Sequence, residues 1–143
     1  MTNQMQTRFF TQIIVILVLL GGSLSAADKP EDLARKATEE WLSLVDEGKY
    51  EESWKNSADS FRLLITPEVW AMVVETLREP LGKLVSRKLI SARYAKEIPE
   101  LKMGETVQLK YDCTFANKKD VVETVIPTVE KDGKWKVSGY TIK

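Results

Sequence analysis

Apolar residues recur at Leu33, Ala34, Ala37, Trp41, Leu44 and Val45, steps of three and four that lay one stripe along a helix. Asp28-Lys29-Pro30-Glu31-Asp32 supplies its start, with proline near the first helical position and acids against the positive end of the helix dipole, and Gly48 supplies its stop. Tyr50 to about Phe61 reads as a second, shorter helix with Tyr50, Trp54, Ala58 and Phe61 turned inward. Thr66-Pro67-Glu68 opens a third, with threonine as cap, a core stripe of Val69, Trp70, Val73, Val74 and Leu77, and a break at Pro80 and Gly82.

Beyond Leu84 the period drops from between three and four to two, the spacing of a half-buried strand. Val85 to Tyr94 is a first strand, followed by a loop at Ile98-Pro99-Glu100. Val107, Leu109, Tyr111, Cys113 and Phe115 alternate with Thr106, Gln108, Lys110, Asp112 and Thr114 in a second. A turn at Asn117 to Asp120 leads into a third over Val121 to Glu130, and Lys131-Asp132-Gly133-Lys134 makes a tight hairpin into a fourth over Trp135 to Ile142. Trp135 and Val137 lie on one parity and Tyr140 and Ile142 on the other, which a bulge at Ser138-Gly139 reconciles. Helices first and an antiparallel meander afterwards predict an α+β fold: three N-terminal helices packed on one face of a four-stranded antiparallel sheet.

The residues before this domain have a different character. Arg8, the apolar run Ile13 to Leu20, and the small residues Ser23-Leu24-Ser25-Ala26-Ala27 follow the order of a cleavable export signal. Cleavage is expected after Ala27 or after Ser25, dividing the chain into a signal peptide over 1–27 and a single domain over 28–143, exported and periplasmic, with no membrane anchor after cleavage. The alternative is an uncleaved N-terminal anchor. It needs about 20 mainly apolar residues, and Thr11-Gln12 interrupts the run.

Composition removes whole classes of chemistry. The 143 residues hold 21 Lys plus Arg against 21 Asp plus Glu, one cysteine and no histidine. Ser-His-Asp triads, Cys-His dyads and His-based zinc sites have no residues to build them, and a balanced charge gives no basic stripe for nucleic acid. No cofactor, metal or nucleic-acid partner is expected. Cys113, among alternating apolar positions, reads as a small buried hydrophobe.

Taken in order, Trp41-Leu42, Asp46, Gly48, Tyr50, Ser53-Trp54, Trp70, Arg78-x-Pro80-Leu81-Gly82, Ser86-Arg87, Phe115-Ala116-Asn117-Lys118, Glu123-Thr124-Val125 and Asp132-Gly133-x-Trp135-x-Val137-x-Gly139-Tyr140 resemble the bacterial family called domain of unknown function 4019. The resemblance spans about Leu33 to Lys143. It departs at Ile98 to Gly104, where the family pattern implies a Pro-Gly-rich loop. It implies membership of the nuclear transport factor 2-like, cystatin-related superfamily, and hence a strongly curved sheet forming a cone with a pocket at its mouth. It implies no activity.

Glu123 shares its parity with Val121, Val125 and Val129, so its carboxylate falls on an apolar face and must be neutralised or find a cation. Arg87 on the first strand is the natural partner. The pair is either a structural ion pair or, with Tyr111, Trp54, Trp135 and Tyr140, the lining of a ligand pocket in the cone. Two functions follow: a non-enzymatic envelope module that binds or assembles with a small molecule or partner protein, or a small isomerase, dehydratase or hydrolase using Glu123 as base with Tyr111 or Tyr140 as oxyanion donor. Homodimerisation through the open sheet face is compatible with either.

Overall fold

The computed structural model describes residues 27–96, 100 and 104–143. The expected leader before Ala27 lies outside the described residues, as does most of the Ile98 to Gly104 loop. Four helices precede the sheet: α1 (Pro30–Asp46), α2 (Tyr50–Lys55), α3 (Asp59–Leu64) and α4 (Pro67–Arg78), the last continued by a 3₁₀ turn at Glu79–Leu81. The strands are β1 (Leu84–Ala95), β2 (Thr106–Phe115), β3 (Lys118–Val129) and β4 (Trp135–Ile142), all antiparallel in the order β1-β2-β3-β4.

The helices are four, not the expected three, because the segment from Tyr50 to Phe61 is broken. At the break the Ala58 N–H leaves the helical ladder and donates to the Val137 carbonyl of β4 at 2.8 Å. Asn56 to Ala58 thereby become a tie between the helical layer and the sheet edge. The stripe of α4 is also narrower than expected. Trp70, Val74 and Arg78 are buried, whereas Val69, Val73 and Leu77 flank them and stay 42%, 37% and 41% exposed. Its ends follow local chemistry: Thr66 Oγ1 accepts from the Val69 N–H at 3.3 Å, and Gly82 leaves the 3₁₀ turn at φ 74, with Asn117 Nδ2 only 3.0 Å from where a Cβ would stand.

The sheet overturns the cone expected from the superfamily resemblance. It is a single open, flat layer in which β1 and β4 are both edges, so it neither curls nor closes and leaves no mouth. Where a cone would hold a pocket, the helices have pressed aromatic rings onto the sheet. Trp41 and Trp70 stand 5.6 Å apart, Phe61 meets Trp70 edge-on at 5.1 Å, and Tyr140 of β4 lies 5.6 Å from Trp41 and 5.8 Å from Trp70. Below them Val107, Leu109, Tyr111, Cys113 and Phe115 of β2 and Val121 and Val125 of β3 complete the core.

Strand parity follows the alternation closely. β2 and β4 occupy the segments that the alternation marks out. β3 begins at Lys118, ahead of the expected Val121, because Phe115 pairs Lys118 across a short turn and Asp120 takes a positive φ of 57 to absorb the irregularity. In β4 the pairing steps from Ile126–Gly139 to Pro127–Val137, leaving Ser138 as the extra residue of a bulge, with its hydroxyl donating to the Ile126 carbonyl at 2.7 Å. Pro127, which has no N–H to give a ladder, sits at that irregularity. The bulge brings Tyr140 onto the inner face beside Val137, opposite Val125.

Candidate functional site

The strand register sets the polar centre of the molecule. Arg87 on β1 pairs across to Cys113 on β2, which pairs to Val121 on β3; one step along, Tyr111 pairs Glu123. Glu123 is 0% exposed. The Arg87 Nε–H donates to its Oε2 at 2.6 Å, the Cys113 thiol to the same oxygen at 3.2 Å, and the Tyr140 hydroxyl to Oε1 at 2.6 Å. The ion pair expected between strands is therefore present, and it belongs to a larger cluster.

Two further members, Asp46 and Arg78, come from helix ends. Arg87 grips Asp46 with both terminal nitrogens, at 2.7 and 2.9 Å, while Arg78 Nη2 donates to Asp46 Oδ1 at 2.6 Å. Arg78 also lies 3.8 Å from Glu123 Oε1 and stacks over the Phe115 ring at 5.2 Å. Two guanidiniums and two carboxylates thus balance. Arg78 continues the Trp70 and Val74 stripe at four-residue steps, and Asp46, itself exposed, stands four residues after the buried Leu42 at the last position of α1. That periodicity was the signal for both; read as helix caps or surface charges, they do not stand out.

Four members of the cluster, Arg87, Asp46, Tyr140 and Cys113, are shifted from their ordinary pKa values. Burial works against the charge on Arg87, but its bonds to Asp46 and Glu123 outweigh that and raise its pKa above the usual arginine value. Burial likewise opposes ionisation of Asp46, and the Arg87 and Arg78 guanidiniums overcome it, holding the carboxyl below its ordinary range. Tyr140 is pushed upward by burial and by the neighbouring Glu123 charge, so it remains a donor. Cys113 is pushed up to about 12 by burial first and Glu123 second, which keeps it a thiol rather than a nucleophilic thiolate.

The six candidate residues do not converge. Arg87, Glu123 and Tyr140 meet in the cluster. Tyr111 is buried beneath α1 with its pKa pushed up to about 12, chiefly by burial, and its hydroxyl has no hydrogen-bond partner among the described residues. Trp54 is a helical tie, its indole N–H donating to the Ile65 carbonyl at 2.7 Å. Trp135 stands at the far end of the inner face, partly exposed, in a cleft of about 500 Å³ between α1 and β4.

That cleft is larger than the recess of about 350 Å³ beside Asp46 and Arg78. Its walls are Glu40 and Trp41 from α1, Asn56 from the broken helix, and Lys134, Trp135 and Lys136 from the hairpin and β4. Trp41 forms the floor, held by its indole N–H to the Ser53 carbonyl at 2.8 Å and to Ser57 Oγ at 3.0 Å. Among the described residues no group of acids, histidines and cysteines is placed to hold a metal ion, and Cys113 is a free thiol. No helix among them is long and apolar enough to cross a membrane.

A family model described as "Protein of unknown function (DUF4019)" matches residues 37–140. A search of the curated proteins returns no match.

Proposed function

The chain belongs to the DUF4019 family, whose description carries no activity, and from the geometry of its two polar regions we propose that it is a non-enzymatic binding module that engages its ligand or partner at the α1–β4 cleft. One observation carries this reading: Trp135 and three wall residues of opposite sign, Glu40, Lys134 and Lys136, are presented to open space, while every charged group of the cluster is matched by another of its own chain. Aromatic surface beside unspent polar groups is the composition of a recognition site. The enzymatic alternative has the geometry against it. A general base needs a lone pair aimed at substrate, and both Glu123 oxygens accept hydrogen bonds inside a core that solvent does not reach. Export through the 1–27 leader, which would place the module in the periplasm, is part of the same proposal.

A thermal-shift screen of peptides, glycans and metabolites on the wild type, Trp135→Ala and Tyr140→Phe tests it. A compound that raises the melting temperature of wild type and Tyr140→Phe but not of Trp135→Ala is the expected result, since bound ligand stabilises by mass action. A shift lost in Tyr140→Phe and kept in Trp135→Ala would move the site to the buried cluster and overturn the proposal.

A further inference from the structure

The α1–β4 cleft has a shape and a charge that specify more than a place. A second hollow of about 350 Å³ continues it along α1, sharing Ala37, Glu40, Lys134 and Trp135 and adding Leu33, Lys36 and Gly133. Together they follow α1 from Leu33 to Leu44, a rise of about 17 Å at 1.5 Å per residue, which about five residues of extended chain would span. Lys36, Lys134 and Lys136 oppose the single acid Glu40, and none of the three lysines has an ion-pair partner among the described residues. The groove is cationic on a chain whose total charge is zero.

One wall is a sheet edge. β4 is the last strand of the order β1-β2-β3-β4. The Lys134 carbonyl turns inward, accepting from the Glu130 N–H at 2.8 Å, and the Val137 carbonyl turns outward, accepting from Ala58. Trp135 shares the outward parity of Val137, so its backbone N–H and C=O face away from β3. On that side neither has a hydrogen-bond partner among the described residues. Ala58 already shows what the edge takes, a backbone N–H laid against it from outside the sheet.

We propose that the cleft receives an extended, acidic segment of a partner protein. The segment pairs its backbone with the free edge at Trp135, places an apolar side chain over the Trp135 ring, and sets carboxylates against Lys36, Lys134 and Lys136. This rests on the cleft being the binding site and adds the class of ligand. Main-chain pairing along an edge strand gives affinity, and side-chain contacts on alternate positions give selectivity. Lysine-lined walls give attraction that salt weakens.

A random octapeptide library displayed on phage and selected on the immobilised protein tests it. Selected peptides are expected to be enriched in Asp and Glu over Lys and Arg and to shift the indole N–H resonance of Trp135, assigned by its absence in Trp135→Phe. Lys134→Glu/Lys136→Glu is expected to weaken the best peptide by about tenfold or more with the melting temperature unchanged. Peptides that shift Trp135 without acidic enrichment, or that bind the double variant equally, overturn the acidic class and leave the cleft standing. Selected peptides that never perturb Trp135 overturn the cleft as well.

Discussion

The buried cluster and the α1–β4 cleft are built from the same materials, aromatic rings beside charged side chains, and they differ in whether the charges are used up. In the cluster Arg87 serves two carboxylates at once, Asp46 serves two arginines, and Glu123 has donors on both oxygens. In the cleft Glu40, Lys134 and Lys136 border a space of about 500 Å³, and no ion pair joins them among the described residues. The difference teaches where to look for function in a fold with no catalytic signature. A charge matched within its own chain holds elements together; here the cluster joins the end of α1, the end of α4 and all four strands. A charge left unmatched beside a tryptophan is available for recognition.

Substitution inside the cluster should break that contrast most strongly. Glu123→Ala leaves the partly buried Arg87 with half of its partners and is expected to cost about 3 kcal/mol, the low end of the usual effect of removing one member of a buried pair, read by urea unfolding. A cost near zero would mean that the cluster is no more structural than the cleft. Tyr140→Phe removes a single charge-assisted hydrogen bond and should cost about 1.5–3 kcal/mol by the same measurement. A stability unchanged in that variant would detach Tyr140 from the cluster.

Two pH effects sharpen the comparison, because both belong to the cluster side of the molecule. Asp46 has a folded pKa below its ordinary value of 3.8, so its contribution is complete above that value and lost as the pH falls through the folded one. Acid unfolding should therefore be less steep in Asp46→Asn than in wild type. Tyr111 and Cys113 have folded pKa values raised to about 12 from 10.0 and 9.0. Their contribution is present below the ordinary values and lost between about pH 9 and 12. Cys113→Ala should thus retain more of its neutral-pH stability in that window, measured by the denaturation midpoint at each pH. The smallest effect is expected at the cleft, where Trp135→Ala should change stability by within about 1 kcal/mol while abolishing the peptide-induced shifts.

Much of this contrast was legible in the sequence, and the missing parts share a cause. Alternation alone located β2 and β4 and put Glu123 on the inner face, and the parity conflict between Val137 and Tyr140 announced the Ser138 bulge. Those are properties of a strand's own residues. The break between α2 and α3 depends on a bond from Ala58 to a strand almost eighty positions later, which no local period encodes. Arg78 is a charged residue on a buried stripe and Asp46 an exposed one at a helix end, and only the arrival of each other's element makes them intelligible. The family was identified correctly, but the cone inferred with it was not. Whether a sheet curls or stays open depends on what packs against it, and here Trp41, Trp70, Phe61 and Tyr140 fill the inner face.

The Ser138 bulge makes the residue count of β4 matter more than its composition. The bulge absorbs the extra residue, so that Trp135 lines the cleft and Tyr140 closes the cluster from one strand face; were Ser138 to take a regular place in the ladder instead, every side chain past Val137 would change sides. Deleting Ser138 would leave a regular ladder in which Tyr140 still stands opposite Val125, whereas inserting a further residue there would turn the Tyr140 hydroxyl away from Glu123. The two regions are thus in phase because Ser138 stays unpaired. Variation between related chains should accordingly favour substitution along this strand and avoid single insertions between Trp135 and Tyr140, while loss of the bulged residue itself keeps both regions in phase.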